Sequence, residues 1–170
     1  MSSPFRLEQL GRDHERTGFC CGEDALDRYF RTQVTQDVRR RVANCFVAVA
    51  QETRAIAGFY TIAASGLPFR DLPEAEARRL PRYPAVPAVR IGRLAVDRRF
   101  AGRGIGAAML ADAARRVMQV PPAVFALLVD AKNEAAVRFY EHHGFQPLVS
   151  APMTLFLPLG TAEKTLLGGD

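Results

Sequence analysis

The sequence predicts an α/β fold in which helices pack on a mixed β-sheet. Predicted strands and helices follow one another in the order β, α, β, β, an irregular excursion, β, α, β, α, β, β. The continuous apolar run AVFALLVDA, residues 123–131, is typical of a strand buried on both faces. A chain of 170 residues with 48% hydrophobic content is long enough for one sizeable core. We therefore expect a single domain over residues 1–160, followed by a flexible tail over residues 161–170.

The first third of the chain predicts one strand, one long helix and a strand pair. FRLEQL (5–10) alternates apolar and polar residues, as a half-buried strand does. Residues 22–41 place apolar side chains near 3.6-residue spacing, which predicts a single amphipathic helix. CFVAVAQ (45–51) and AIAGFYTIAA (55–64) are strand-like, and the short link between them indicates a hairpin.

Residues 67–88 break this regular pattern. The segment contains five prolines among many charged residues, so we expect an irregular excursion with one short helix, PEAEARRL. An insertion of this length in a compact domain is more often functional than idle.

The remaining elements are predicted from apolar runs and capping signals. AVRIGRLAV (88–96) is a strand, residues 104–118 form a helix, and residues 123–131 form the buried strand. Asn133 stands where a helix N-cap belongs, ahead of EAAVRFYEHH, and Gly144 fits the residue that ends that helix. FQPLVS and MTLFLPL are expected to complete the sheet.

The charge of the chain suggests a phosphate-rich partner. The net charge is +5, and of the 23 basic residues only Lys132 and Lys164 are lysines, which leaves 21 arginines. Arginine presents a planar fork of donors that suits phosphate. Genomic base composition is the alternative explanation, because it enriches arginine without any functional reason.

Other features of the composition exclude several protein classes. No uncharged apolar stretch of about 18 residues occurs, and the N-terminus has no apolar signal-peptide core, so we expect a cytoplasmic protein without a membrane span. The three cysteines, Cys20, Cys21 and Cys45, are odd in number and lack zinc spacing, which favours reduced thiols. We expect no metal site.

A glycine-rich loop is the most informative motif. In IGRLAVDRRFAGRGIG (91–106), an apolar strand runs into a loop with glycines at alternate positions, Gly102, Gly104 and Gly106, and an Ala-rich helix follows. Glycines let backbone N–H groups approach a ligand closely, and a helix N-terminus favours an anion. The loop therefore predicts a pyrophosphate cradle. A turn whose glycines serve only close packing is the alternative, and the motif of nucleoside triphosphate P-loops is absent.

Four blocks of sequence carry a resemblance to a known family. They are FCCGEDALDRYF (19–30), GFYTIAASG (58–66), IGRLAVD (91–97) and DAKNEAAVRFYEHHGF (130–145). With the glycine loop and the element order, they resemble the GNAT superfamily of acetyl-CoA-dependent N-acetyltransferases. Within it they resemble the toxin-type acetyltransferases of bacterial toxin–antitoxin pairs. The resemblance implies a GNAT-like, mixed, mostly antiparallel sheet flanked by helices, in which the central strand pair splays apart.

The resemblance also implies a cofactor site for acetyl-CoA. The family loop reads Gln/Arg-x-x-Gly-x-Gly/Ala. Placing the helix start at Gly104 puts Ala101 in the first slot, a departure that we expect to weaken phosphate binding; the register Arg99-x-x-Gly102-x-Gly104 satisfies the letters two residues earlier. The expected cofactor-binding residues are Leu94, Ala95, Val96, Arg99, Gly102, Arg103, Gly104, Ile105, Gly106 and Asn133.

The resemblance places Tyr140 beside the thiol, which makes it the candidate general acid. A phenol with a pKa near 10 is a reasonable proton donor to a thiolate, although the ring could instead only pack against the cofactor. No carboxylate or histidine stands out as a general base. An α-amino group, with a pKa of about 7.7–8.0 or lower beside an ester, is often already neutral, whereas a lysine amine, with a pKa of about 10.4, is almost wholly protonated. An α-amine acceptor is therefore favoured.

These observations predict an N-acetyltransferase that acts on the α-amine of an aminoacyl-tRNA. The residues expected to contact the tRNA phosphates are Arg78, Arg79, Arg82, Arg90 and Arg93. Arg39, Arg40 and Arg41, at the end of the first predicted helix, would join them if all these arginines share one face. The family resemblance implies a ribbon-helix-helix antitoxin as partner. Whether the protein forms a homodimer is left undecided by the sequence. The alternatives are an acetyltransferase for a small amine or a protein N-terminus, and a non-catalytic acyl-CoA-binding module.

Overall fold

A computed structural model describes residues 3–120 and 122–167. The strands in these residues are β1 (Phe5–Gln9), β2 (Asn44–Ala50), β3 (Ile56–Pro68), β4 (Ala85–Val96), β5 (Ala126–Asp130), β6 (Gln146–Pro147) and β7 (Thr154–Pro158). The α-helices are α1 (Asp24–Thr32), α2 (Val34–Arg39), α3 (Glu74–Ala77), α4 (Ile105–Gln119), α5 (Glu134–His142) and α6 (Leu159–Thr165). Among the described helices, none is long and apolar enough to cross a membrane.

The strands form one sheet in the order β1-β2-β3-β4-β5-β7-β6. The pairs β1–β2, β2–β3, β5–β7 and β6–β7 are antiparallel, and β4 runs parallel to β5. The prediction of a mixed, mostly antiparallel sheet flanked by helices is confirmed. The recorded pairing of β4 with β5 ends at Ile91 and Val129, whereas β4 itself continues to Val96.

The chain divides into two compact units, residues Met1–Ala63 with Gly92–Asp112, and residues Ala64–Ile91 with Ala113–Asp170. In the first unit, α1 buries an aromatic cluster against β2 and β3. The rings of Phe30 and Phe59 stack with centroids 4.2 Å apart, and Phe19 meets both edge-on. All three rings are at most 2% exposed, so they form the centre of this unit's core.

The single helix predicted over residues 22–41 is wrong, because the chain forms two helices that break at Gln33. The Thr32 hydroxyl donates to the Arg28 carbonyl at 2.7 Å, a back-bond that bends helices. The Tyr29 hydroxyl then donates to Asp37 at 2.8 Å across the break. The break keeps both helices on the core, since Phe30 before it and Val34 after it are fully buried.

The second unit shows that the predicted excursion over residues 67–88 is too long. β3 continues to Pro68 and β4 begins at Ala85, so the irregular segment covers residues 69–84. The Phe69 N–H donates to the Pro84 carbonyl at 3.2 Å and closes the base of this segment. The strands extend because Leu67 and Val86 are buried in a core cluster with β5 and β7. The short predicted helix is present as α3.

The tail predicted over residues 161–170 contains a helix in its described part. α6 begins directly after β7, and its residue Ala162 is fully buried. Gly144, at φ +95°, has no side chain, and a Cβ there would lie 3.0 Å from Thr165. The close approach of this glycine and Thr165 is a contact that local sequence patterns do not encode. Residues 168–170 lie outside the described part, and the domain boundary stays a prediction.

Candidate active site

The glycine loop of the first unit connects β4 to α4, as expected. Gly102 and Gly104 have φ values of +78° and +75°, a backbone region that favours glycine. A Cβ at either position would meet nothing within 4 Å, so the loop surface is open there. Helix α4 begins at Ile105, one residue later than predicted, and the Ala108 N–H donates to Gly104 at 3.0 Å. The N–H groups of the first turn, which include that of Gly106, are therefore available to an anion.

Two of the predicted cofactor residues, Arg99 and Arg103, flank the ring of Phe100. The guanidinium carbon of each lies 5.5 Å from that ring's centroid. Phe100 in turn meets Phe5 of β1 edge-on, with centroids 5.7 Å apart. Both arginines are exposed. The aromatic ring thus carries two cations beside the glycine loop, an arrangement that sequence reasoning missed.

Asp97 is a buried residue that sequence reasoning also missed. Its side chain is 1% exposed and accepts from the Arg99 backbone N–H, Nε and Nη2 at 2.9–3.1 Å. It also accepts from the Cys20 N–H at 3.0 Å. Burial raises the pKa of Asp97, but these hydrogen bonds outweigh burial and leave the pKa below its usual value. The carboxylate therefore ties Arg99 to the loop before α1.

The same loop is joined to the turn after β4 by two further contacts. The Arg98 N–H donates to the Cys20 carbonyl at 2.9 Å. Gly22, at φ +99°, faces the Arg98 guanidinium, and a Cβ there would lie 3.0 Å from its Nε. Blocks 19–30 and 91–97, which the family resemblance singled out separately, are therefore one contiguous structure.

The end of β4, with Leu94, Ala95 and Val96, packs against β3 within the first unit. A Cβ on Gly58 would lie 2.9 Å from the Ala95 carbonyl oxygen and 3.0 Å from the Met109 methyl of α4. The Asp97 N–H donates to the Ala57 carbonyl at 2.8 Å. Ala95 is buried, whereas Leu94 and Val96 are half-buried. Glycine at position 58 thus lets β4 and α4 approach β3 closely.

Arg93 lies on the ring of Tyr29 rather than in an ion pair. Its guanidinium carbon is 3.6 Å from the ring centroid. The backbone N–H of Arg93 donates to the Thr61 hydroxyl at 3.1 Å. Burial raises the pKa of Tyr29, and the hydrogen bond to Asp37 adds to that effect. The ring therefore stays neutral and holds the Arg93 guanidinium in a fixed position by a cation–π contact.

In the second unit, Tyr140 of α5 is 9% exposed. Its ring meets Phe139 and Phe145 edge-on, with centroids 5.2 and 5.4 Å away. Burial raises the pKa of Tyr140 to about 12, and the negative charge of Asp130 contributes to the rise. The phenol is therefore held protonated, which is the state that a general acid requires.

The two ends of α5 have the caps that the sequence predicts. The Asn133 side chain accepts from the Ala136 N–H at 2.9 Å and caps the first turn. The N–H groups of Gly144 and Phe145 donate to the carbonyls of Glu141 and Tyr140 at 3.0 and 3.1 Å, and the positive φ of Gly144 ends the helix. These caps fix the position of Tyr140 along its helix.

Asp130, at the end of β5, contacts Arg90, one of the predicted tRNA-binding residues. Arg90 forms an ion pair with one carboxylate oxygen of Asp130, and the Thr154 hydroxyl donates to the other at 2.9 Å. The Arg90 side chain remains 36% exposed. Arg90 is thus held between neighbouring strands, with part of its guanidinium open to a ligand.

The other predicted tRNA-binding arginines of the second unit lie on the irregular segment between β3 and β4. Arg78, Arg79 and Arg82 are all exposed. Arg78 pairs with Glu74 at 3.0 Å, where both side chains are more than 70% exposed, so this pair adds little stability. Within the described residues, no group of three or more His, Cys, Asp or Glu side chains is arranged to hold a metal ion.

Comparison with known proteins identifies the family. The model described as "Acetyltransferase (GNAT) family" matches residues 7–145. The chain is 30% identical over 164 residues to the probable toxin TacT of Sinorhizobium fredii, which covers 91% of this chain and 90% of that protein. It is 34% identical over 169 residues to the tRNA-acetylating toxin of Mycobacterium tuberculosis, covering 98% and 97%.

Solved structures agree with this assignment over nearly the whole chain. A tyrosine-to-phenylalanine mutant of KacT superposes with a TM-score of 0.85 at 27% identity, covering 95% of this chain and 99% of that one. AtaT complexed with acetyl-methionyl-tRNAfMet gives 0.84 at 30% identity, covering 94% and 98%. AtaTR bound with AcCoA gives 0.80 at 30% identity, covering 95% and 97%. The chain therefore belongs to the GNAT acetyltransferase family.

Proposed function

We propose that this acetyltransferase moves an acetyl group from acetyl-CoA to the α-amine of an aminoacyl-tRNA, and so acts as a toxin-like inhibitor of translation. The observation that carries the proposal is similarity along almost the full chain to a tRNA-acetylating toxin, 34% identical over 98% of the residues. AtaT, at 30% identity, has been solved with acetyl-methionyl-tRNAfMet.

The glycine loop is the proposed pyrophosphate site. Gly102 and Gly104 present open backbone, and Ile105 starts a helix of 15 residues whose first N–H groups point to the loop. Arg99 and Arg103 stand beside the loop on the Phe100 ring. When bound there, acetyl-CoA would supply the thioester. The loop acts mainly through backbone N–H groups, so Ala101 in the usual Gln/Arg slot removes one side chain and leaves the cradle.

Tyr140 is the proposed general acid. With acetyl-CoA bound, its hydroxyl would supply the proton that the departing thiolate takes up. Backbone N–H groups at Leu94–Val96 would be the donors to the acetyl oxygen. The phenol suits this task because burial and the charge of Asp130 keep it protonated. The KacT structure and several AtaT structures carry a tyrosine-to-phenylalanine change, which supports a functional tyrosine in those relatives.

An α-amine acceptor fits the absence of an obvious general base. Such an amine has a pKa of about 7.7–8.0, so a useful share is neutral and can attack without assistance. The proposed tRNA contacts are the exposed arginines Arg78, Arg79 and Arg82, with Arg90 on Asp130 and Arg93 on Tyr29. Arginines held in place bind phosphate with less loss of side-chain entropy.

The proposal extends to partners. AtaT has been solved bound to the C-terminus of its antitoxin AtaR, and this chain is 29% identical to that toxin. We propose that an antitoxin, of the ribbon-helix-helix type, restrains the present protein as well, in the cytoplasm, and that the active form is a homodimer. Coexpression with a short neighbouring gene, followed by co-purification, tests the antitoxin.

Labelled acetyl-CoA and a pool of charged tRNA test the function directly. We expect label on aminoacyl-tRNA and none on deacylated tRNA treated in the same way. Expression without a partner is expected to arrest growth, and Tyr140→Phe to relieve the arrest. Label found only on small amines or protein N-termini would replace the tRNA proposal with that alternative, and absence of any transfer would favour a binding module.

A further inference from the structure

A cavity lies in the first unit, where the chain after β1 meets α2 and the start of β2. Its volume is about 400 Å³, within the ~300–1,000 Å³ that small-molecule sites usually occupy. Its walls include Leu10, Arg12, Arg16, Val38, Arg39 and Cys45. None of the residues predicted to bind acetyl-CoA lines it, so it is separate in composition from the proposed cofactor site.

The walls of this cavity carry an excess of positive charge. Three arginines line it and no carboxylate does. Of the acidic residues nearby, Glu8 and Asp13 pair with Arg54 at 3.0 and 3.6 Å, whereas the Glu15 carboxylate interacts with Arg16 through its charge and forms no ion pair with it. In the described part of the chain, no carboxylate lies within 4.0 Å of the Arg12, Arg16 or Arg39 side-chain nitrogens.

Arg16 is held in place by α1. Its Nη1 donates to the Phe30 carbonyl at 2.7 Å, and its guanidinium carbon lies 5.9 Å from the centroid of the Phe30 ring. One of five guanidinium N–H groups is used in this way, which leaves the others for a ligand. Arg16 is half-buried and makes no direct ion pair with a described carboxylate, so an anionic ligand would offset part of its desolvation cost.

The rest of the cavity is uncharged. Leu10 and Val38 supply apolar surface, and burial raises the pKa of the Cys45 thiol to about 12, so the thiol is neutral. The Nδ1 atom of His14 accepts a hydrogen bond of 2.9 Å from the Gly11 backbone N–H, and its Nε2 atom is hydrogen-bonded to Oε1 of Glu8 at 2.8 Å. Both ring nitrogens of His14 are therefore occupied, and the arginines are the anion-binding groups.

We propose that this cavity binds a nucleoside monophosphate group. The phosphate would lie on Arg12, Arg16 and Arg39, and the nucleoside against Leu10 and Val38. A phosphomonoester carries about −1.5 to −2 charges at neutral pH, so it matches three arginines better than a single carboxylate does. The group has two possible sources, a free nucleotide or the 5′-terminal nucleotide of a tRNA; the second rests on the proposed function.

Calorimetry with AMP tests the cavity on the full-length wild type and on Gly104→Glu, a variant of the proposed acetyl-CoA site that leaves the cavity lining unchanged. We expect AMP to bind to both proteins and adenosine to bind at least tenfold more weakly. The double variant Arg12→Gln/Arg39→Gln should lose at least tenfold in AMP affinity, about 1.4 kcal/mol, while it keeps Arg16 on Phe30. Arg40→Gln is the matched control, since Arg40 is exposed and does not line the cavity.

Loss of AMP binding in Gly104→Glu, or equal AMP affinity in the double variant and wild type, would overturn the proposal. Uncharged tRNA with and without its 5′-phosphate identifies the source. If removal of the 5′-phosphate weakens tRNA binding to wild type but not to the double variant, the ligand is the tRNA end. If removal has no effect on tRNA binding while AMP binds, the ligand is a free nucleotide. If the protein acetylates charged tRNA but does not bind AMP, only the proposal for the cavity is contradicted. If it binds AMP but does not acetylate charged tRNA, only the proposed function is contradicted.

Discussion

The carboxylate of Asp97 accepts a hydrogen bond of 3.0 Å from the backbone N–H of Cys20, a residue 77 positions earlier in the chain. Asp97 directly follows β4, and Cys20 belongs to the loop that leads into α1. The turn before the glycine loop therefore depends on a segment distant in the chain. The link explains why the two sequence blocks occur together.

Replacement of Asp97 by alanine should lower the free energy of unfolding by ~1–3 kcal/mol, because the backbone N–H groups of Cys20 and Arg99 lose the buried carboxylate that accepts from them. Urea denaturation at pH 7 measures this. The exposed Glu52→Ala is the control and should change stability by less than about 0.5 kcal/mol. A similar small loss in Asp97→Ala would mean that water replaces the carboxylate.

Glu8 should make the protein sensitive to acid. Hydrogen bonds from Arg54 and His14 lower its pKa from 4.5 to about 2. A depressed folded-state pKa adds stability that is fully present above the unfolded value and is lost as pH falls from 4.5 toward 2. We expect Glu8→Gln to be less stable than wild type at pH 6 and to approach it at pH 2.5. An unchanged difference between the two pH values would contradict this linkage.

Tyr140→Phe should reduce kcat roughly 10²–10⁴-fold with little change in acetyl-CoA affinity, because it removes only the hydroxyl. Tyr83→Phe, at a ring that is 61% exposed, is the matched control. The Tyr140 pKa of about 12 also predicts that activity does not fall between pH 8 and 10 through loss of this proton. A decrease in kcat of less than threefold would leave Tyr140 a packing role.

Gly104→Glu should weaken acetyl-CoA binding at least tenfold, about 1.4 kcal/mol, since it places bulk and negative charge where phosphates are expected. Calorimetry measures the affinity, and circular dichroism checks that the fold is kept. Gly104→Ala isolates the strain of a side chain at φ +75°. Gly18→Glu introduces the same charge at another open glycine, and this variant should bind acetyl-CoA with the affinity of wild type. Equal affinities in wild type and Gly104→Glu would remove the cradle from this loop.

Reversal of Arg78, Arg79 and Arg82 to glutamate should reduce acetylation of charged tRNA more than acetylation of a small amine at high concentration. The three side chains are exposed, so the fold should survive. Raising salt from about 50 to 200 mM should weaken tRNA binding steeply, because arginines displace counterions from the phosphates. Acetyl-CoA binding should change much less. Equal loss for both acceptors would place these arginines outside the tRNA contact.

Features that depend on neighbours within a few residues were determined by the sequence itself. The Asn133 cap, the Gly144 terminator and the strand–loop–helix around Gly102 and Gly104 all follow from local backbone preferences. These preferences act through hydrogen bonds and φ angles inside one turn, so a single sequence can reveal them.

Only the tertiary structure decided the contacts between distant residues. Asp97 with Cys20, Arg90 with Asp130, and Gly144 with Thr165 each join segments whose separation hides the pairing. The break at Gln33 and the helix α6 were missed for the same reason, because burial of Val34 and Ala162 in a core selects those conformations. Packing free energy outweighs local propensity at such positions, and packing exists only once the chain has folded.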